Sequence, residues 1–298
     1  MAATSSAVPR GQAGPRRRLD ARRDAVGAIL AVPALVLFLA FAIWPALRVF
    51  YLSLFDYSLT APPEWVGAGN FEFLLGSSEF HRVILNSLFY VAATYVPSVC
   101  LALGLALVLR SRMPAAGAVR LLYFVPVAMS WVAVSVIWRL VLQPDGLLNQ
   151  TFGLDLNWLT TTATAKWGLV LMSVWKETGF FLILFLAGLS AIPEDLYEAA
   201  VVDGCSAWQR FVHVTLPMLK PTTAICSIMA VIRGFQAFSA QYVMTGGGFG
   251  TEVVNLYVYK TAFENARMGR ASAVAVLMFF LLLLLTLLQL RLFRRDDR

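Results

Sequence analysis

The sequence predicts an all-α protein that crosses a membrane several times, and three observations support this fold class. The chain has 298 residues, of which 59% are hydrophobic and 14% are charged. A soluble domain has about 25% charged residues, and the mean hydropathy of this chain is +0.72. The third observation is a set of apolar segments long enough to cross roughly 30 Å of hydrocarbon, which takes about 20 residues.

Six segments meet this length requirement and predict six transmembrane helices. They are residues Ala25–Phe50, Ile84–Leu109, Val119–Leu142, Gly168–Leu189, Thr222–Met244 and Ala271–Leu290. Prolines lie inside several of these segments. A kink at a proline is tolerated in a membrane because neighbouring helices can satisfy the carbonyl groups that it frees.

The predicted domain organisation follows from these segments. Residues 1–24 are rich in Ala, Ser, Pro, Gly and Arg, which predicts a disordered basic tail in the cytoplasm. A cleaved signal peptide is a poor alternative, because the next apolar run is too long and no small-residue cleavage site follows it. Residues 25–293 form the six-helix transmembrane domain, and residues 294–298 form a cytoplasmic C-terminus.

The distribution of basic residues predicts the orientation in the cell membrane. With the N-terminus inside, the cytoplasmic pieces hold 15 of the 24 lysine and arginine residues. Cytoplasmic loops carry the excess of these residues, so both termini are expected in the cytoplasm. The same arginines account for the net charge of +7. We therefore expect membrane lipid, and not nucleic acid, as the partner of this charge.

Residues 191–220 form a polar island between two apolar segments and predict two short helices joined by a glycine. Pro193 suits the first turn of a helix, and Gly204 can end that helix with a positive φ. Ser206 is a candidate N-cap for the second helix. Pro217 is expected to end that helix, because it disfavours the α conformation at Leu216. The pattern alone leaves open an interfacial amphipathic loop without a protein partner.

The same island resembles the EAA loop of binding-protein-dependent ABC importer permeases, and we call residues 191–220 the EAA segment. The residues that carry the resemblance are Glu198, Ala199, Ala200, Asp203, Gly204, Leu216 and Pro217. The resemblance implies that this segment is a coupling helix pair that docks on a cytoplasmic ATPase subunit. The pattern from Tyr242 to Gly247 resembles the carbohydrate-uptake type, in particular the first permease subunit of maltose, trehalose or glycerol-phosphate importers. Asn70 and Asn149 lie in outer loops that resemble the same type.

This resemblance implies a type I ABC importer permease fold and a set of partners. The expected assembly contains a second homologous permease subunit, two cytoplasmic ATPase subunits and an extracytoplasmic solute-binding protein. This chain would form half of the translocation pore and would not be an enzyme. It is expected to bind no cofactor, since ATP and Mg would be held by the ATPase.

Polar residues in the fifth predicted span are candidates for the substrate pathway. Arg233 lies near the middle of that span, where a charge costs about 2.5–3.5 kcal/mol on insertion scales and needs a reason. The other candidates are Gln236, Phe238, Ser239, Gln241 and Tyr242. Residues 235, 238, 239 and 242 are expected to share one helix face. Polar groups beside aromatic rings suit a sugar or polyol, and a guanidinium also suits a phosphate. The alternative is hydrogen bonding between permease subunits, without substrate contact.

Lys176 and Glu177 in the fourth span are two further pathway candidates. Adjacent residues point to different faces of a helix, so one of them can pair with a neighbouring helix. Pathway lining and structural pairing both remain open. The histidines, His81 and His213, lie far apart, so no metal site is expected, and no nucleophile with a base is present. A catalytic site is therefore not expected.

A stand-alone secondary transporter or channel is the competing class. Such a protein would use an ion gradient and would need acids inside the membrane, and Glu177 is the one acid available in the spans. It would also leave the EAA segment unexplained. The sequence does not select among sugars, polyols and glycerophosphodiester-like solutes.

Overall fold

The computed structural model describes residues 31–58, 60–110 and 116–295. The predicted basic tail, residues 1–24, lies outside the described residues, as does the start of the first predicted span. The chain divides into two compact units, one up to Tyr51 and one from Leu52 onward.

The described part of the first unit lies in α1, Ala31–Leu52, an apolar helix long enough to span a membrane. Its last residue, Leu52, is the first of the second unit. The Leu39–Ile43 turn of α1 is a π-helix, in which the Trp44 N–H donates to the Leu39 carbonyl. Pro45 follows directly. A proline ring clashes with the carbonyl four residues earlier in a regular α-helix. The wider turn before Pro45 is therefore a local solution that lets the helix continue.

The second unit contains a short hairpin followed by twelve helical segments among the described residues. The hairpin is β1, Phe55–Ser58, and β2, Ala61–Trp65, paired antiparallel. The helices are α2, Gly69–Gly76; α3, Ser78–Arg110; α4, Ala116–Ala128; α5, Trp131–Val141; α6, Leu147–Phe152; α7, Ala165–Ser190; α8, Glu194–Val202; α9, Ala207–Met218; α10, Lys220–Phe235; α11, Ser239–Thr245; α12, Val254–Tyr259; and α13, Met268–Arg295. The hairpin was not predicted, but the fold is otherwise all-α.

Within the described residues, four helices are long and apolar enough to cross a membrane: α1, α3, α7 and α13. Two bent pairs also meet the criterion, α4 with α5 at 110° and α9 with α10 at 65°. Counting each bent pair as one span gives six, which agrees with the predicted number. The third predicted span is therefore broken, and Ser130 at the break has an extended backbone, with ψ 140.

The fifth predicted span, Thr222–Met244, is wrong as a continuous helix. Its helix α10 ends at Phe235, so Arg233 lies in the last turn and not near the middle. Phe238 has φ −148 and ψ −58, and α11 starts only at Ser239. Residues 235, 238, 239 and 242 therefore do not share one helix face, because the helix on which that periodicity depends is interrupted.

The core of the second unit is built around α7, which packs along α3 and against α4 and α10. Phe181 and Phe185 are fully buried in it. Two glycines of α7 allow close approach: a Cβ at Gly179 would lie 2.0 Å from the Tyr123 carbonyl oxygen, and one at Gly188 would lie 2.4 Å from the Thr222 hydroxyl. Small residues at such crossings let membrane helices pack closely.

Two buried asparagines secure the loops at one end of the helices. Asn70 donates to the carbonyls of Ser53 and Phe55 at 2.9 and 2.8 Å. Asn149 donates to two loop carbonyls and accepts a 2.8 Å hydrogen bond from the Trp158 Nε1–H. These residues of the carbohydrate-type pattern thus have a structural role in holding loop backbone.

Helix α3 connects the two ends of the second unit. Near its start, the Asn86 side chain donates to the Glu252 carbonyl, and Phe80 contacts Tyr257. At its other end, the Arg110 guanidinium lies over the Tyr197 ring. The EAA segment therefore lies at the end opposite the asparagine-stabilised loops.

Candidate functional site

A polar cavity of about 170 Å³ lies where α10 ends and α11 begins. Its wall includes six of the residues that the sequence identified as pathway candidates: Glu177, Arg233, Gln236, Phe238, Ser239 and Gln241. Three aromatic residues that sequence reasoning missed also line it: Tyr90 and Tyr95 from α3 and Trp131 from α5. They are separated from the other residues by long stretches of sequence, so no local pattern indicates that they belong to the site.

Arg233 and Glu177 form a bidentate ion pair across the cavity wall. The Arg233 Nε donates to Glu177 Oε2 at 3.0 Å, and its Nη2 donates to Oε1 at 2.8 Å. The Glu177 side chain is only 1% exposed. The guanidinium also lies 4.4 Å from the centre of the Phe180 ring. Two hydrogen bonds and a cation–π contact offset the cost of placing both charges in the membrane helices.

Lys176 points away from this pair, as expected for an adjacent residue on a helix. Its ammonium group donates to the carbonyls of Pro126 and Met129, the latter at 2.8 Å, and lies 5.0 Å from the Trp131 ring centre. It does not line the cavity. Lys176 therefore donates to carbonyl groups that have no helical partner at the break between α4 and α5. Of the two alternatives for this residue, pathway lining and structural pairing, the contacts favour structural pairing.

Gln241 is the polar residue of the cavity wall with the least satisfied hydrogen-bonding capacity. It is 0% exposed, and neither amide atom meets strict hydrogen-bond geometry with any described residue, although the Tyr90 hydroxyl interacts with the amide. A buried polar group with such incomplete hydrogen bonding calls for an explanation, because burial without a full partner costs free energy. An amide has one acceptor and two donor hydrogens, which a molecule in the cavity reaches only when the wall moves.

Tyr242 lies outside this cavity and lines a second one of about 520 Å³ nearer the loops. Trp158 and Phe249 are also in the wall of the second cavity. The Tyr242 ring stacks on Phe238, with centroids 5.3 Å apart and planes 14° apart. Because Phe238 lines the first cavity, this aromatic pair lies between the two.

The EAA segment begins with α8 and turns at Gly204. Pro193 is the N-cap of α8 and not part of its first turn, so that detail of the prediction is wrong. Gly204 has φ +74, as predicted. The Gly204 N–H donates to the Val201 carbonyl and the Cys205 N–H to the Ala200 carbonyl, which is a Schellman motif. A residue with a Cβ would be strained at Gly204 through its φ, although the surrounding space is open.

The second helix of the segment, α9, is capped as predicted but ends later than predicted. Ser206 and Gln209 form a capping box. The helix continues through Pro217 to Met218, and Leu216 is helical, with φ −63 and ψ −44. The expectation that Pro217 ends the helix is wrong because a π-turn precedes it, with the Leu216 N–H bonded to the Phe211 carbonyl. This is the same solution as the one before Pro45.

The EAA segment presents an exposed apolar surface. Val202 is 87% exposed and Trp208 is 71% exposed. Val202 and Trp208 were not among the predicted coupling residues. Of those that were predicted, Ala200 is buried and the rest are at the surface: Glu198, Ala199, Asp203, Gly204, Leu216 and Pro217. Clustered exposed apolar side chains mark an interaction site more often than a free surface.

These features define a membrane transport permease: apolar spanning helices, a polar cavity between them, and an exposed helix pair at one end. In the described part of the chain, no group of His, Cys, Asp and Glu side chains could hold a metal ion. The chain belongs to the family described as the binding-protein-dependent transport system inner membrane component, whose match covers residues 26–296. The family comprises transport permeases and not enzymes.

Of two relatives in this family, one is named for sugar transport and the other as an ABC transporter permease. The trehalose/maltose transport system permease protein MalF of Thermococcus litoralis is 33% identical over 288 residues, which cover 94% of this chain and 98% of that protein. The probable ABC transporter permease protein YurN of Bacillus subtilis is 33% identical over 278 residues, 89% of this chain and 95% of that protein.

A solved structure has the same fold. It is a chain in the crystal structure of a bacterial alginate ABC transporter in complex with an alginate pentasaccharide-bound periplasmic protein. The TM-score is 0.83 at 25% identity, and the match covers 94% of this chain and 97% of that chain. The present protein is thus a multi-pass ABC importer permease of the carbohydrate-uptake type.

Proposed function

We propose that this chain forms half of the translocation pore of an ABC importer and couples it to ATP hydrolysis through the EAA segment. A second homologous permease completes the pore, and two ATPase subunits bind in the cytoplasm. An extracytoplasmic solute-binding protein delivers the solute at the asparagine-stabilised loops. Both termini are cytoplasmic, and ATP and Mg are held by the ATPase, while this chain binds no cofactor. The alginate transporter structure contains an alginate-bound periplasmic protein, which supports the proposed delivery of the solute by such a partner.

The exposed helix pair of the EAA segment is the observation that carries this proposal. Val202 and Trp208 place apolar area at the end of the membrane helices that the basic residues assign to the cytoplasm. Glu198 is exposed beside them and can reach a donor on a partner. A charge-assisted hydrogen bond at such a position contributes about 1.5–3 kcal/mol. Coupling fits this segment better than lipid contact, because its surface combines apolar and acidic groups.

Gly204 offers a test of coupling with a matched control. Gly204→Val forces a β-branched residue into a left-handed conformation, at a cost of about 1–2 kcal/mol. Gly204→Asn is the control, because asparagine tolerates a left-handed conformation at the same position. We expect Gly204→Val to reduce uptake and stimulated ATP turnover of the reconstituted complex, while Gly204→Asn retains both.

ATP turnover with and without loaded binding protein is the measurement. The ATPase subunits should remain bound and retain their basal activity in the Gly204→Val complex. If stimulation and transport are unchanged in Gly204→Val, or if Gly204→Asn is equally impaired, then the left-handed backbone at Gly204 is not part of a coupling element.

The cavity geometry favours a neutral polyhydroxylated solute over a phosphodiester. The Arg233 guanidinium is committed to both Glu177 carboxylate oxygens, so an anion would have to displace that carboxylate. The groups that remain are the Gln241 amide, the Gln236 amide and the aromatic faces, which suit hydroxyl groups and sugar rings. A cavity of about 150 Å³ holds one benzene, so the 170 Å³ cavity admits one ring of a sugar at a time.

Gln241→Leu tests whether the cavity contacts the solute. This substitution keeps the shape but removes both amide atoms. We expect uptake at limiting trehalose to fall by about tenfold, equivalent to one lost hydrogen bond at the upper end of its range, with the complex intact. Gln289→Leu is the control, because Gln289 bonds to Ser227 in a membrane helix away from the cavity. Normal uptake by Gln241→Leu would exclude the cavity from the pathway.

A second arm of this experiment tests the solute class. Proteoliposomes are offered trehalose and glycerol phosphate in parallel, and ATP hydrolysis and uptake of each are measured. Neutral sugar is expected to be transported and the phosphate ester excluded. Transport of glycerol phosphate in preference to trehalose would show that the Arg233–Glu177 pair opens to accept an anion.

A further inference from the structure

The helix α8 of the EAA segment contacts the rest of the protein through very few side chains. All nine of its residues are among those the structure describes, and each is exposed except Tyr197 and Ala200. These two lie three residues apart and so share one helix face. Ala200 contributes only a methyl group. Tyr197 is therefore the one large side chain of α8 that faces the protein.

Tyr197 makes two specific contacts with different elements. The Arg110 guanidinium, at the last residue of α3, lies 4.0 Å from the centre of the Tyr197 ring. The Tyr197 hydroxyl lies 2.9 Å from the hydroxyl of Thr215, which is 4% exposed in the π-turn of α9. The ring thus connects α8 to the end of a membrane helix, and the hydroxyl connects it to the following helix.

Both elements that Tyr197 contacts lead to the cavity. Helix α3 carries Tyr90 and Tyr95, which line the cavity. Helix α9 leads into α10, which carries Arg233 in its last turn. A displacement of α8 therefore has two physical routes to the cavity wall, and both begin at Tyr197.

We propose that Tyr197 is the positioning residue that transmits movement of α8 to α3 and α9, and so to the cavity. The ring acts on α3 through Arg110, and the hydroxyl acts on α9 through Thr215. This inference rests on the proposed coupling function, and it adds a residue that precedes the EAA triplet. If this is correct, a change at Tyr197 leaves nucleotide binding by the ATPase intact, but the cavity no longer responds to the bound nucleotide.

The test uses a reporter in the cavity that requires no knowledge of the solute. Ser239→Cys lines the cavity and is labelled with a maleimide, after Cys100 and Cys205 are replaced by serine to remove accessible background thiols. In the assembled complex, a non-hydrolysable ATP analogue is expected to change the labelling rate by about fivefold or more, the usual lower bound of allosteric coupling. Adding Tyr197→Leu should abolish this change while the analogue still binds.

Conservative variants separate the two contacts. Tyr197→Phe keeps the ring over Arg110 but removes the hydroxyl, so part of the nucleotide-dependent change should be retained. Thr215→Val removes the same hydrogen bond from the other side. If that bond is the link, the Tyr197→Phe/Thr215→Val double variant should be no worse than either single variant, as a double-mutant cycle requires for one shared interaction.

Two comparisons distinguish a failure of the proposed coupling function from a failure of the role of Tyr197. They are a control substitution at another tyrosine and the reporter protein without a change at Tyr197. Tyr57, in the hairpin at the opposite end, is also partly buried, and Tyr57→Leu should leave the response intact. If the reporter protein without a change at Tyr197 shows no response to nucleotide, the proposed coupling function fails. If that response is present and remains as large in Tyr197→Leu as in Tyr57→Leu, only the role of Tyr197 is overturned.

Discussion

The cavity and the EAA segment differ in where their polar and charged groups find partners. In the cavity wall, Glu177 is bonded to Arg233 within this chain, and the neighbouring Lys176 is bonded to backbone carbonyls. In the EAA segment, Glu198 and Asp203 are exposed, next to apolar side chains that are exposed as well. The charges of the first region are paired within this chain, whereas the second region has the composition of a surface that is completed by another molecule.

This difference teaches how substitutions in the two regions should behave. A change to the ion pair in the cavity wall leaves a buried partner unsatisfied and should affect the stability of this chain. A change on the EAA surface removes nothing that this chain uses itself, and should affect only what binds to it. Glu177 and Glu198 allow the most direct comparison, because both are glutamates and only their surroundings differ.

The largest effect is expected for Glu177→Ala. Removing one partner of a buried ion pair costs about 3–5 kcal/mol, because the other charge is left uncompensated. Arg233 would lose both of its carboxylate hydrogen bonds. The fraction of purified complex that remains monodisperse after heating should drop sharply relative to the unmodified protein.

Glu198→Ala is the matched comparison for that experiment. Its side chain is exposed, and surface substitutions usually change stability by less than about 0.5 kcal/mol. A Glu177→Leu/Arg233→Leu variant should recover much of the lost stability, since apolar residues often replace a buried ion pair without cost. Equal heat sensitivity of Glu177→Ala and Glu198→Ala would contradict the comparison.

An intermediate effect is expected for Val202→Asp, and it should appear in binding and not in folding. Val202 is 87% exposed, so a carboxylate there costs this chain little. If an ATPase covers this position, the charge is buried without a partner, which weakens binding by at least about 2 kcal/mol, or more than tenfold.

Recovery of the ATPase with tagged permease measures this effect. Val202→Ala is the control, since it removes some apolar area without adding charge. Equal ATPase recovery for Val202→Asp and Val202→Ala would show that the apolar surface of the EAA segment is not covered by the ATPase.

Local chemistry explains which parts of the fold could be predicted from the sequence. The positive φ of Gly204 and the capping role of Ser206 were predicted correctly, because each depends on a few neighbouring residues. The number of spans followed from hydropathy, which needs no knowledge of packing. The resemblance to importer permeases was confirmed by the family match.

The failures have physical causes that a local pattern does not contain. The Arg233–Glu177 pair joins residues 56 positions apart, so only the packing of α7 against α10 brings them together. The rule that proline ends a helix failed at Pro217 because a π-turn opens the backbone one turn earlier. The break after Phe235 lies within an apolar segment, and hydropathy predicts that segment as one continuous span.

The smallest effect is expected for Ser206→Ala, which sharpens the comparison within the EAA segment itself. The Ser206 hydroxyl accepts from the Gln209 N–H at 3.3 Å, while the Gln209 side chain accepts from the Ser206 N–H at 2.8 Å. The alanine variant loses only the first of these bonds, so the cost should lie near or below the typical cap value of about 1 kcal/mol.

Amide hydrogen exchange should become about fivefold faster at residues 207–211 and stay unchanged in α7 and α8. Ser190→Ala, which removes a hydroxyl that bonds only to the Leu186 carbonyl of its own helix, should leave residues 207–211 unaffected. Exchange that accelerates throughout the second unit would mean that the capping box supports the global fold, and that the EAA segment is not the separable surface that its exposure indicates.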